Sequence, residues 1–165
     1  MYLIGSVISD YRAKLASSGN EIGFWQCGIR SLDELSVCKS SSDLIFFGSR
    51  GPITSSNMSI HGAIGDTAFI LPRFYTPSLA HESVGKVVFV PHILNEPRTK
   101  EHLTSIGADI CLSPVVCASE KSVESFIDTI VSADFVMAEG MHAAVIAAAY
   151  GVPFSFILKV ISTAR

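Results

Sequence analysis

The chain has 165 residues, of which 48% are hydrophobic and 16% are charged, and its formal net charge is −3. This composition is too apolar for a disordered chain and too poor in basic residues for a general nucleic-acid binder. No apolar run reaches the roughly 20 residues that span a bilayer, and the start lacks the basic region and cleavage site of a signal peptide. We therefore expect a cytoplasmic protein that binds no nucleic acid.

The first part of the chain carries short apolar runs separated by irregular segments. Runs of strand length occur at Tyr2–Ile4, Ile22–Trp25, Leu44–Phe47 and Phe69–Leu71. Short helices are expected near residues 7–16 and 32–36. We interpret residues 1–72 as an incomplete N-terminal α/β lobe, and residues 73–85, which are rich in turn-forming residues, as a linker.

From Lys86 onward, strand and helix patterns alternate. The predicted strands are Val87–Val90, Ile110–Leu112, Phe135–Met137 and Phe154–Ile157. One helix is expected over Arg98–Ile106, and a second follows Ser119, a suitable N-cap, with apolar residues at helical spacing from Val123 to Val131. This alternation predicts a parallel sheet with right-handed crossovers, a Rossmann-like half at about 86–160 within a domain of residues 86–165. Ligands bind such sheets at the carboxyl ends of the strands.

The transition from the Phe135 strand to the following helix is the most informative stretch. Glu139, Gly140 and His142 place an acid and an imidazole at a helix N-terminus, and the alanines that follow allow close packing on a sheet. Helix N-termini attract anions, because their first N–H groups are unpaired and the helix dipole is positive there. The alternative is that Glu139 only caps the helix and that His142 is simply one of its first residues.

Three further places bring polar residues to the ends of apolar runs. Arg50 follows the Leu44–Phe47 run after two intervening residues and is positioned to pair with a carboxylate or phosphate; the alternative is a surface ion pair. Asp66 lies at a glycine turn, where it can act as a base or form an Asx turn, and we favour the Asx turn. His92, in a Pro-His step after a predicted strand, can bind an acidic group, move a proton or only satisfy its own loop.

Several familiar signals are missing from the sequence. It contains no G-x-G-x-x-G after a strand, no G-x-x-x-x-G-K-[ST] and no G-x-S-x-G, which disfavours dinucleotide oxidoreductases, P-loop enzymes and classical hydrolases. The four cysteines form no C-x-x-C pair and have no matching histidine spacing, so we predict no metal site and interpret them as buried thiols.

Five short motifs, taken in order, resemble the polysaccharide pyruvyl transferase family, particularly its succinoglycan-type exopolysaccharide branch. They are Leu3–Ile8, Ser49–Thr54, Gly65–Ala68, Phe89–His92 and Glu139–Ala144. The last is the strongest, and the resemblance runs from Met1 to about Ile157.

The resemblance implies a two-lobed, GT-B-like fold and transfer of a pyruvyl group from phosphoenolpyruvate to two sugar hydroxyls as a ketal, without a further cofactor. The implied acceptor is a saccharide or a lipid-linked oligosaccharide, and the latter would place the protein at the inner face of the plasma membrane. His142, Glu139 and His92 are the expected catalytic residues; Arg50, Asp66 and Gly140 are the expected substrate-binding residues.

The sequence also departs from the family pattern. Many members carry an arginine at the position of Gly140, although the succinoglycan-type branch is similar to this chain in lacking it. An N-terminal Asn-x-Gly-Asp turn that usually precedes the first strand is absent, and the C-terminal tail is short, so we expect a truncated member. Two alternatives stay open: a nucleotide-sugar glycosyltransferase or epimerase on a similar scaffold, and a truncated, non-catalytic binding domain.

Overall fold

A computed structural model describes residues 7–16, 20–95 and 100–157. These residues belong to two compact units, Met1–Phe69 and Ile70–Arg165, and each is described by itself. Both contain helices and parallel strands, so the predicted α/β class is confirmed.

The first unit contains a small parallel sheet with short helices. Its elements are α1 (Asp10–Ala13), a 3₁₀ turn (Lys14–Ala16), β1 (Ile22–Phe24), α2 (Ser36–Ser40), β2 (Leu44–Phe46) and α3 (Pro52–Met58). β1 and β2 pair in parallel, and isolated parallel bridges join Ile8 to Ile29, Cys27 to Ser49, and Ser49 to Ile64. The predicted strand at Tyr2–Ile4 lies outside the described residues.

Two predictions for this part of the chain are wrong. Phe69–Leu71 is not a strand: it lies in a 3₁₀ helix, Thr67–Arg73, which starts where the Asp66 carboxylate accepts a hydrogen bond from the N–H of Ala68 at 3.0 Å. A short apolar run fits a helical turn as well as a strand. The helix expected at 32–36 begins only at Ser36, and α3, which starts with Pro52 at its first position, was not predicted.

The position of α2 is set by Asp10, a residue distant in the sequence. Its Oδ1 accepts hydrogen bonds from the N–H groups of Val37 and Cys38 at 2.9 and 3.1 Å, and its Oδ2 accepts one from the Ser36 hydroxyl at 2.7 Å. A carboxylate from α1 thus satisfies the first N–H groups of α2. Partial burial opposes ionisation of Asp10, but these hydrogen bonds outweigh it and hold its pKa below the ordinary value of 3.8.

This arrangement predicts a pH-dependent stability. Because the pKa of Asp10 is lower in the folded chain than in the unfolded one, its stabilising effect is present above about pH 4 and is lost as the pH falls through the folded pKa. In urea unfolding between about pH 5 and pH 2, we expect Asp10→Asn to lose less stability on acidification than the parent chain. The exposed Asp33→Asn is the control, and an Asp10→Asn profile parallel to the parent's would contradict the prediction.

The second unit contains a four-stranded parallel sheet. Its elements are a 3₁₀ turn (His81–Ser83), β3 (Val87–Val90), α4 (Lys100–Ile106), β4 (Ile110–Cys111), α5 (Glu120–Val131), β5 (Phe135–Ala138), α6 (Met141–Tyr150) and β6 (Phe154–Phe156). The strands lie in the order β4-β3-β5-β6, and every pair is parallel. The predicted alternation of strands and helices from Lys86 is confirmed, and Ser119 caps α5 by accepting from the N–H of Ser122.

The core of the second unit lies where α5 and α6 pack on this sheet. Its central side chains are Val88, Val136, Ile130, Ala144 and Ala147, all at most 1% exposed. Because alanine side chains are short, α6 can lie close to the sheet, as the sequence indicates. This packing fixes the position of the junction between β5 and α6.

The segment 73–85, predicted as a linker, belongs to the second unit. The hydroxyl of Tyr75 and the N–H of Ser78 both donate to Asp128 Oδ1 on α5, at 2.8 and 2.9 Å. The hydroxyl of Tyr150 on α6 donates to the carbonyl of Tyr75 at 2.8 Å. Side chains of two helices therefore hold a segment whose own composition indicates only turns.

Candidate functional site

The strand order of the second unit identifies one edge of the sheet as the place for a ligand. The chain passes from β3 to β4 on one side and then crosses to β5 on the other side of β3. The order in which strands are added to the sheet therefore reverses between β3 and β5. In open parallel sheets, ligands bind outside the carboxyl ends of the strands at such a reversal. His92 follows β3 there, and Glu139 follows β5.

Glu139 is held at this edge by both its backbone and its side chain. Its N–H donates to the carbonyl of Val90 at 2.9 Å, and its Oε2 accepts a hydrogen bond from the N–H of His92 at 3.0 Å. The same oxygen accepts a hydrogen bond from Nδ2 of Asn95. Two N–H donors on one carboxylate oxygen favour the ionised form of Glu139.

Asn95 is a site residue that the sequence reasoning missed. It lies in the loop after Pro91-His92, and its carboxamide joins that loop to the end of β5. The sequence feature that indicates Asn95 is a carboxamide side chain three residues after His92, in a loop already predicted to follow a strand. Only the tertiary structure shows that Glu139 is its partner.

His92 is exposed, and its ring makes a local hydrogen bond. Nδ1 accepts from the N–H of Leu94 at 3.2 Å, and the His92 carbonyl accepts from the N–H of Asn95 at 2.8 Å. A neutral imidazole that accepts at Nδ1 carries its hydrogen at Nε2. In this tautomer, Nε2–H is the ring's hydrogen-bond donor.

The N-terminus of α6 lies directly after Glu139. Gly140 is its N-cap, with extended backbone angles (φ −107°, ψ 145°), and glycine has no side chain with which to cap the helix. The Glu139 side chain, one residue before the N-cap, hydrogen-bonds to the loop after β3. His142 is exposed in the first turn of α6, and a Cβ at Gly140 would meet open space.

Arg50 belongs to the first unit, where it follows the bridge residue Ser49. Its N–H donates to the carbonyl of Cys27 at 3.1 Å, and its guanidinium lies over Gly28. A Cβ at Gly28 would stand 2.8 Å from Cζ of Arg50, which is closer than a carbon–carbon contact allows. Glycine at position 28 therefore leaves the space that the guanidinium fills.

Asp66 is buried in the same unit and forms the Asx turn that the sequence reasoning preferred. Only 6% of its surface is exposed, and its Oδ1 accepts the hydrogen bond from Ala68 that starts the 3₁₀ helix. The pKa of the nearby Cys27 thiol is raised, mainly by burial. Of the two charged neighbours, Arg50 lowers this pKa and Asp66 raises it. We therefore assign Asp66 a structural role.

The structure thus brings Glu139 and His92 together, with His142 one turn into the helix that follows, and it places Arg50 and Asp66 in the other unit. Within the described residues, no cluster of three or more His, Cys, Asp or Glu side chains has the geometry of a metal site. None of the helices in that part of the chain combines the length and apolarity needed to cross a membrane. Comparisons with family models, curated proteins and solved structures found no match to this chain.

Proposed function

We propose that this chain is a pyruvyl transferase that moves a pyruvyl group, as a ketal, from phosphoenolpyruvate to a sugar of a bacterial exopolysaccharide or its lipid-linked precursor. The observation that carries the proposal is the Glu139 carboxylate, which accepts a hydrogen bond from the N–H of His92 and directly precedes the N-terminus of α6. Two compact units that both contain parallel strand pairing support a GT-B-like fold.

The donor is a small dianion or trianion, so its site needs oriented N–H groups or positive charge. The first N–H groups of α6 and the exposed His142 are suited to its phosphate. Arg50 is the candidate anion-binding side chain of the first unit, because a guanidinium pairs with two oxygens of a carboxylate or phosphate at once.

Ketal formation requires balanced proton movements. Protonation of the methylene carbon of phosphoenolpyruvate turns it into a methyl group and leaves a cationic carbon, which the first sugar hydroxyl attacks with loss of its proton. The carbon–oxygen bond to phosphate then breaks, and the second hydroxyl attacks and loses its proton. Two protons leave the hydroxyls, one is gained by carbon and one by the departing phosphate.

The geometry narrows the roles that the residues play in this scheme. Because two N–H groups donate to Glu139, its ionised form suits a base toward a sugar hydroxyl or a stabiliser of the cationic carbon better than a proton donor. Because Nδ1 of His92 accepts from the N–H of Leu94, Nε2–H of His92 is the candidate hydrogen-bond donor to the substrate. His142 assists phosphate departure.

Titration with phosphoenolpyruvate tests the proposal directly. Calorimetry should show saturable binding, and His142→Ala should weaken it about tenfold or more, the size expected for one hydrogen bond to a charged group. His81→Ala, which removes an exposed histidine from the turn before β3, is the matched control and should bind like the parent chain.

The other possible outcomes separate the alternatives. Binding of UDP-sugars without binding of phosphoenolpyruvate would contradict pyruvyl transfer and favour a nucleotide-sugar enzyme. A folded chain that binds neither ligand would favour a non-catalytic domain.

The position of Arg50 can be changed without removing its charge. Gly28→Ala should displace the guanidinium and weaken phosphoenolpyruvate binding about fivefold, because the new Cβ would stand 2.8 Å from Cζ of Arg50. Gly65→Ala is the control, since a Cβ at Gly65 meets nothing within 4 Å. Equal affinities of the two variants would show that the position of the Arg50 guanidinium does not affect donor binding.

A further inference from the structure

A cavity of about 430 Å³ opens in the second unit beside the candidate site, where the loops after β3 and β4 face each other. Its apolar wall consists of Pro91, Ile93, Pro114 and Val115. Its polar lining consists of Asn95, Cys111 and Ser113. A volume of this size lies within the range of small-molecule sites, roughly 300 to 1,000 Å³.

The chemistry of this lining disfavours an anion. None of the lining residues that the structure describes is charged. A phosphate or carboxylate placed there would lose its hydration without gaining an opposite charge, which is costly. An apolar wall combined with an amide, a hydroxyl and a thiol suits a neutral molecule that has both C–H faces and hydroxyl groups.

The cavity also has a direct connection to the candidate catalytic carboxylate. Asn95 lines the cavity and donates through Nδ2 to Oε2 of Glu139. The Glu139 carboxylate is therefore hydrogen-bonded directly to a residue of the cavity lining. A hydroxyl group of a bound molecule at the Asn95 side of the cavity would be near the group assigned to remove its proton.

We infer that this cavity binds one pyranose ring of the acceptor, with a C–H face on the apolar wall and a hydroxyl directed toward Glu139. The inference rests on the proposed function, because it assigns the acceptor to a place separate from the anion-binding N-terminus of α6. It also divides the site by charge: the neutral substrate occupies the cavity, and the anionic substrate lies at the helix.

Cys111 provides a natural reporter of cavity occupancy. It lines the cavity and is partly exposed, whereas Cys27 and Cys38 are buried. Burial raises the pKa of Cys27, and burial together with the nearby Asp10 raises the pKa of Cys38 to about 11, so both should alkylate slowly. Cys117 is exposed, contrary to the prediction of four buried thiols, and is removed by Cys117→Ser.

The test measures the rate at which iodoacetamide alkylates Cys111 in the Cys117→Ser chain, by peptide mass spectrometry. Methyl β-glucopyranoside or methyl β-galactopyranoside should slow the reaction about tenfold when present at about ten times its dissociation constant. Phosphoenolpyruvate and inorganic phosphate should leave the rate unchanged. Protection by uridine but by neither glycoside, protection by phosphoenolpyruvate, or no protection by any probe would overturn the inference.

A variant that fills the cavity gives an independent readout. Ser113→Phe should abolish protection of Cys111 by the glycosides and leave phosphoenolpyruvate affinity, measured by calorimetry, unchanged. Ser105→Phe, at an exposed position of α4 outside the cavity lining, is the matched control and should retain both. Glycoside protection that survives in Ser113→Phe would overturn the inference.

The two proposals fail in different ways. If phosphoenolpyruvate does not bind the parent chain but glycosides still protect Cys111, pyruvyl transfer is contradicted and the sugar site stands. If phosphoenolpyruvate binds and glycosides give no protection, the cavity assignment is overturned and the proposed function stands.

Discussion

Glu139→Gln should reduce the rate of pyruvyl transfer by about 10²-fold or more, the usual size of a general acid–base contribution. Glutamine has nearly the same shape and keeps an oxygen that can accept the hydrogen bond from the N–H of His92, but it carries no negative charge. The loss should therefore appear in kcat, with donor affinity nearly unchanged. Phosphate release from phosphoenolpyruvate in the presence of an acceptor oligosaccharide, together with the mass of the product, measures it.

The matched control is Glu120→Gln, which removes an exposed carboxylate from the first turn of α5. It should leave turnover unchanged. Turnover of Glu139→Gln close to that of the control would show that the carboxylate neither takes up a proton nor stabilises the cationic carbon.

Ile130→Ala should lower the free energy of unfolding by about 2 to 5 kcal/mol, as large-to-small substitutions in packed cores do. Ile130 is 0% exposed and packs with the sheet residues of the second unit, so its removal leaves a cavity between α5 and the strands. Urea unfolding followed by circular dichroism measures the change.

Val123→Ala removes two methyl groups from the same helix at a position that is 47% exposed. We expect it to cost well under about 1 kcal/mol, because little apolar surface is lost from the core. Similar effects of the two substitutions would show that the buried face of α5 is not oriented as described.

The second unit could be predicted well because its signals are local and agree with one another. The apolar runs from Val87 and Phe135 have strand length, Ser119 caps α5, and Gly151 ends α6 with a left-handed backbone (φ +76°) that glycine adopts easily. Alternating strands and helices leave few topologies when crossovers are right-handed. Hydrophobic periodicity and capping were sufficient here.

The first unit was predicted less well because distant contacts decide its short elements. Asp10 supplies the hydrogen bonds that start α2, and no residue next to α2 indicates this. Asp66 starts a 3₁₀ helix in an apolar run that resembles a strand. In elements of three to seven residues, one side-chain contact outweighs the local preference.

For the candidate site, the sequence by itself determined which residues follow which strands: His92 after β3, and Glu139 and His142 at the start of α6. Only the tertiary structure decided that the Glu139 side chain reaches the His92 loop, that Asn95 joins it there, and that a cavity with no charged side chain among its described lining residues lies beside them. The physical reason is that strand and helix patterns depend on residues that are only a few positions apart in the chain. The partner of a carboxylate 47 residues away in the chain is set by strand order and register, which bring the ends of β3 and β5 side by side.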